Sequence, residues 1–147
     1  MSEPDADTRR SPRLYVDTSA YLCILLGEAG SEELSRETDG AELLSSVLLV
    51  LEARRTLVRL ARDGVLTTDQ FTTCLQRLTD DAALFDLRDL TLDLCTASSM
   101  PAVTTPRSLD LAHLRTALWF DAAAAIDRFM TVDGPQREAA RELGLPV

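Results

Sequence analysis

Lysine is absent from this chain, so all fifteen basic residues are arginines. Histidine occurs once, at His113, and the three cysteines, Cys23, Cys74 and Cys95, are far apart with no CxxC pair. That inventory excludes the usual zinc sites, which need paired thiols or several imidazoles. Reduced, mostly buried thiols are the expectation, as in a cytosolic protein. No glycine-rich stretch ends in GK[ST], which excludes a P-loop nucleotide site. No window approaches the roughly 18 apolar residues of a membrane span. Residues Met1 to Pro12 are polar, carry Pro4 and Pro12, and lack the apolar stretch of a signal peptide. They are expected to form a disordered extension ahead of one domain over residues 13–147, and the protein is expected in the cytoplasm.

What is present is a chain of 147 residues, 46% of them hydrophobic, enough for one domain with its own core. Short β-prone runs alternate with helical ones. Arg13 to Val16 reads as a strand, followed by a helix from Ala20 to Leu26 that Ser19 caps and Gly27 ends. Ser31 to Thr38 reads as a second helix and Ala41 to Ser45 as a strand, with Ser45 or Ser46 as the next cap. Helices are expected over Val47 to Arg62 and, after the capping signal Thr67-Thr68-Asp69, to about Asp80. Ala83 to Leu87 is strand-like, Asp89 to Ser98 helical, and Met100 to Arg107, with two prolines, a loop. Ser108 caps a helix from Leu109 to about Phe120. Arg128 to Val132 is a strand, Gln136 to Leu143 a helix, and Leu145 to Val147 a short edge strand. This alternation predicts an α/β fold with a mainly parallel sheet covered on both faces. There is no internal repeat and no low-complexity segment.

The net charge is −9, which disfavours nonspecific binding to nucleic acid unless the acids are local and functional. Four carboxylates stand out. Asp17 directly follows the first strand and precedes a helix, at the carboxyl end where crevices of parallel sheets form. Asp133 has the same position after the last strand; each also suits a plain cap or turn. Glu52 lies in Val47-Leu48-Leu49-Val50-Leu51-Glu52-Ala53, apolar on nearly every side, where an unpaired carboxylate is expensive. Pairing with Arg55 or Arg59 is the structural alternative. Asp110 falls in the first turn of its helix, where the helix dipole alone favours an anion.

Gathered together, such acids need a cation: two carboxylates about 4 Å apart repel by roughly 4 kcal/mol at an effective dielectric of 20. An all-oxygen set suits Mg²⁺ or Mn²⁺, and phosphodiester hydrolysis is the chemistry such a metal supports. Arg54, Arg55, Arg59, Arg62, Arg107 and Arg115 either add a local positive field or are exposed helix-face charges. Phosphotransfer domains also gather aspartates at strand ends, but they generally hold the phosphoryl group with a lysine, and this chain has none.

Four segments together resemble the PIN-domain ribonucleases: Tyr15-Val16-Asp17-Thr18-Ser19-Ala20, Val50-Leu51-Glu52-Ala53-Arg54-Arg55, Arg107-Ser108-Leu109-Asp110-Leu111-Ala112-His113-Leu114-Arg115-Thr116-Ala117, and Phe129-Met130-Thr131-Val132-Asp133 with Glu138 to Leu145. The resemblance runs in order from Leu14 to Val147. The size is similar to that of the VapC-type toxins of bacterial toxin–antitoxin pairs. It implies a PIN-like three-layer α/β/α sandwich and a Mg²⁺-dependent endoribonuclease that is usually a homodimer. It further implies silencing by a VapB-type antitoxin laid across the acidic site, with any DNA contact made through the antitoxin. Carried over residue by residue, Asp17, Glu52 and Asp110 bind metal and orient water, and Asp133 completes the site. Ser19 and Thr131 each either join the metal shell or serve their local backbone. His113, three residues past Asp110, is expected to pack or bond at the helix surface rather than act as acid or base. The alternative is a catalytically silent PIN-like domain that binds a partner through apolar helices.

Overall fold

A computed structural model describes residues 9–97, 103 and 107–147. Four strands, β1 (Arg13–Val16), β2 (Glu42–Ser46), β3 (Phe85–Arg88) and β4 (Arg128–Met130), form one sheet in the order β3-β2-β1-β4. Every pairing is parallel, with Tyr15 opposite both Leu44 and Phe129. Among the described residues there are seven helices: α1 (Thr18–Leu26), α2 (Ser31–Thr38), α3 (Leu48–Arg62), α4 (Thr68–Ala82), α5 (Leu92–Thr96), α6 (Ser108–Ala123) and α7 (Gly134–Glu142).

The period of two along the strands sorts the core into two halves. Leu14, Val16 and Met130 face α1, α3 and α4, packing with Tyr21, Leu25, Leu49, Leu57 and Leu78. Tyr15, Leu44 and Phe129 face the other way, onto Leu114, Ala117 and Phe120 of α6 and Ala139 and Ala140 of α7. Tyr15 stacks on Phe129 at 5.3 Å between ring centroids, 5° from parallel. Both sheet faces are therefore covered, and the architecture is a three-layer α/β/α sandwich with a parallel sheet. None of the described helices is long and apolar enough to cross a membrane.

Because β1 leads to β2 on one side while β4 lies on its other side, the chain reverses direction across the sheet at β1. In parallel α/β sheets a crevice opens at the carboxyl ends of the strands there. Asp17 follows β1 at that edge, and Asp133 follows β4.

Several local expectations change. The cap of α1 is Asp17, not Ser19: the Asp17 carboxylate accepts from Ala20 N at 3.0 Å. Neither Ser45 nor Ser46 is the N-cap of α3, although Ser46 Oγ accepts from Leu48 N at 3.2 Å. Arg107, rather than Ser108, sits at the N-cap of α6, with no side-chain cap bond. Strand β4 stops at Met130 because side chains take over the next amides: Val132 N donates to Ser19 Oγ and Asp133 N to Thr131 Oγ1, each at 3.1 Å. Asp133 then caps α7, which begins with Gly134 and Pro135. Leu145 to Val147 is no strand. Phe129 N donates to Pro146 O at 2.6 Å, but Pro146 has no N–H to return a ladder bond. Helix α5 spans only Leu92–Thr96 of the expected Asp89 to Ser98, and Ser98 lies outside the described residues.

Most of the expected loop from Met100 to Arg107 and residues 1–8 of the expected extension also lie outside them. The end of the extension is tied down: Arg10 makes two 2.9 Å bonds to Asp127, and Pro12 O accepts from Glu42 N. Of the thiols, only Cys23 is buried; Cys74 is half-buried and Cys95 exposed.

Candidate functional site

Asp17, Glu52, Asp110 and Asp133 all line one cavity of about 380 Å³ at this sheet edge, together with Thr18, Ser19, Arg55, Arg107 and His113. They arrive from four elements: the β1–α1 junction, the second turn of α3, the first turn of α6 and the β4–α7 junction. Thr131 is buried beneath the rim, beside Ser19 at 3.1 Å between hydroxyl oxygens.

Asp17 is 4% exposed. Burial pushes its carboxyl up from the ordinary range, and Thr131, the Ala20 amide, the Ser19 hydroxyl and His113 only partly offset this. Ser19 Oγ donates to Asp17 Oδ1 at 2.7 Å while accepting from Val132 N. Ser19 thus links the β1 end to the β4 end, a third role beside the two expected of it. Thr131 Oγ1 holds the amide of Asp133.

Glu52 behaves oppositely. Burial pushes its carboxyl up, but contact with His113, a bond from Thr18 and the Arg107 guanidinium outweigh that and hold it below the ordinary range. Its Oε1 accepts from Thr18 Oγ1 at 2.9 Å and lies 2.8 Å from His113 Nε2. Neither Arg55 nor Arg59 is its ion-pair partner among the described residues; Arg59 reaches Asp63 instead.

His113 is 3% exposed, and its Nδ1 lies 2.9 Å from the Tyr15 hydroxyl. Complete burial raises the Tyr15 phenol well above its ordinary value. The other ring nitrogen, Nε2, faces Glu52, with Thr18 at 3.1 Å from the same nitrogen. The sequence led to an expectation of packing or a helix-surface bond for His113, and it did not single out Thr18 or Tyr15 as its partners. The spacing of three between Asp110 and His113 puts both on one face of α6, and that was the available signal.

Arg107 bridges the other two acids, with Nε 3.1 Å from Asp110 Oδ2 and Nη2 3.4 Å from Asp133 Oδ2. Gln136 ties the bases of the same helices together, its Nε2 donating to Asp110 O at 2.9 Å. Its Oε1 is buried without a partner among the described residues.

The donor set fits a hard divalent cation in chemistry: four carboxylates and two hydroxyls bring oxygen only, and Asp17 is buried with no guanidinium in its hydrogen-bond set. In the present arrangement no three His, Cys, Asp or Glu side chains of the described residues are grouped to hold a metal ion. Arg107 draws Asp110 and Asp133 to itself, while His113 and Thr18 draw Glu52. No family model matches the chain, and no curated protein matches it.

Proposed function

We propose that this chain is a Mg²⁺- or Mn²⁺-dependent endoribonuclease of the PIN-domain type. One observation carries the reading: four acids far apart in sequence line a single cavity at the carboxyl edge of a parallel sheet. Asp17, Glu52 and Asp110 would hold the metal, with Asp133 completing the set and Ser19 supporting Asp17. When bound, the metal supplies a water of lowered pKa and stabilises charge on the phosphate under attack. The chain's own part is positioning. Ser19 and the Ala20 amide fix Asp17, His113 and Thr18 fix Glu52, and Gln136 ties down the backbone carbonyl of Asp110. Arg107 places a cation beside the acids, where a phosphate would enter.

On the resemblance, the chain is a VapC-type toxin acting in the cytoplasm, a homodimer held inactive by a VapB-type antitoxin. A second reading has its own support: the Arg107 bridge neutralises two acids without a metal, as a silent interaction domain would.

Calorimetric titration with Mg²⁺ and Mn²⁺ decides between them, run on wild type, Asp17→Asn and Asp110→Asn, followed by cleavage assays on single-stranded RNA. Saturable binding and cleavage, both lost in the two variants, are expected. No binding by wild type at millimolar metal would leave the silent domain as the reading.

A further inference from the structure

The chain carries a net charge of −9, yet three of its arginines form one exposed stripe on α3 that leads out of the acidic cavity. Arg55, Arg59 and Arg62 are spaced i, i+4 and i+7, which puts them on a single helix face over about 10 Å of axis. They line a second surface groove of about 440 Å³ with Val58 and Asp63. Arg55 lines both this groove and the acid cavity, so the two are continuous at that residue. One carboxylate opposes the three guanidiniums. Arg59 Nη1 lies 3.9 Å from Asp63 Oδ2, with both side chains 57% exposed, a solvated pair that a stronger anion displaces at little cost. Arg55 and Arg62 have no ion-pair partner among the described residues.

We infer that this α3 groove is the track on which a single-stranded polynucleotide lays its phosphate backbone on the way to the cavity. The inference takes its polyanion from the nuclease reading above. Three guanidiniums spread over about 10 Å of one helix face can each meet a phosphate of a strand laid along the helix. The groove also carries the exposed, apolar Val58 beside its arginines, and a row of guanidiniums along a helix suits an extended strand gripped by its backbone more than a small anion. It also accommodates a polyanion on a chain of net charge −9, by giving the strand a locally basic path.

The test is fluorescence anisotropy of the full chain with a labelled single-stranded oligoribonucleotide in EDTA, so that the strand stays intact, over a series of salt concentrations. Neutralising each phosphate contact lowers the slope of log K against log salt by about 0.7 for single strands. The triple variant Arg55→Ala/Arg59→Ala/Arg62→Ala should therefore lose about two units of slope. The corresponding triple lysine variant should keep it. A remote control with the same change in net charge, Arg36→Ala/Arg77→Ala/Arg141→Ala, should also keep it. An unchanged slope in the α3 alanine variant overturns the track, and so does an equal loss in the remote control. A changed oligomeric mass with unchanged strand binding overturns it in favour of a protein interface. Strand binding that follows α3, without cleavage when Mg²⁺ is added, would sustain the track and sink the nuclease reading. Cleavage by wild type with no binding defect in the α3 variant would do the reverse.

Discussion

Asp17 and Glu52 line the same cavity and are perturbed in opposite directions. Asp17 is sealed among hydroxyls and amides, so folding raises its pKa and its ionisation works against the fold. The penalty is absent where the carboxyl is protonated in both states, grows as pH rises through the interval between the ordinary and folded values, and is constant above it. Asp17→Asn keeps an oxygen to cap Ala20 N and removes that charge. It should stabilise the metal-free protein at neutral pH by about 0.5–2 kcal/mol, while removing metal binding. Thermal melts in EDTA check this, and the gain should vanish in acid; a variant less stable at neutral pH would contradict the assigned burial cost. Glu52 has its pKa lowered, so it contributes stability above its unfolded value, which is lost as pH falls through the folded one. That contribution depends on His113. His113→Leu takes one partner from the Tyr15 hydroxyl and one from Glu52 Oε1, which keeps Thr18, and should cost roughly 1–3 kcal/mol. His113→Gln, which can still offer an N–H near Glu52, should recover metal affinity more fully than it recovers stability. If calorimetry shows equal metal affinity in His113→Leu and wild type, His113 does not position Glu52.

At the scale of elements, the helices that frame the cavity begin differently from one far from it. Helix α4 starts with a full capping box, Thr67 and Gln70 each bonding the other's backbone amide at 3.1 and 2.9 Å. There the cap serves stability alone. Thr67→Ala should cost about 1 kcal/mol in chemical denaturation and leave metal affinity unchanged; altered affinity would mean that α4 is coupled to the cavity. Helices α1 and α7 are capped by Asp17 and Asp133, the acids of the candidate site. Each therefore has one carboxylate oxygen committed to a helix amide, which fixes its orientation without a metal. Helix α6 starts with no side-chain cap, and its first-turn acid, Asp110, is turned toward Arg107. These junctions were legible in outline, because a β-prone run ending in Asp before a helical run is a local pattern. Which side chain does the capping was not. Ser19 is a better cap by composition than by position here, since its hydroxyl is taken by contacts with Asp17 and Val132 across the sheet edge.

For the whole molecule, the two core halves hold the site between them: Asp17 and Glu52 stand on the side of α1 and α3, Asp110 and Asp133 on the side of α6 and α7. A cation shared by acids from both sides would tie the halves together, so metal binding should appear as global stability. Mg²⁺ at about 100 times its Kd should stabilise wild type by about 2.7 kcal/mol, read as a rise in Tm that Asp110→Asn lacks. Arg107→Ala, which frees two acids from their guanidinium, should enlarge the rise at a given Mg²⁺ concentration. No Mg²⁺-dependent rise in wild type or Arg107→Ala would argue that the acids hold no metal.

The sequence by itself determined the alternation of strands and helices, the parallel sheet and the identity of the cavity's acids. Those follow from signals a few residues long: a β-prone run at Arg13 to Val16, the capping signal at Thr67-Thr68-Asp69, and acids at the ends of β-prone runs. Tertiary structure decided how the acids are satisfied. Arg107 bridges Asp110 and Asp133, His113 reaches from α6 to Glu52 of α3, and the Tyr15 hydroxyl of β1 meets the imidazole's other nitrogen. Most of these partners are brought together only when α6 packs on one face of the sheet and α3 on the other. No local pattern records which of several polar side chains will meet across that junction.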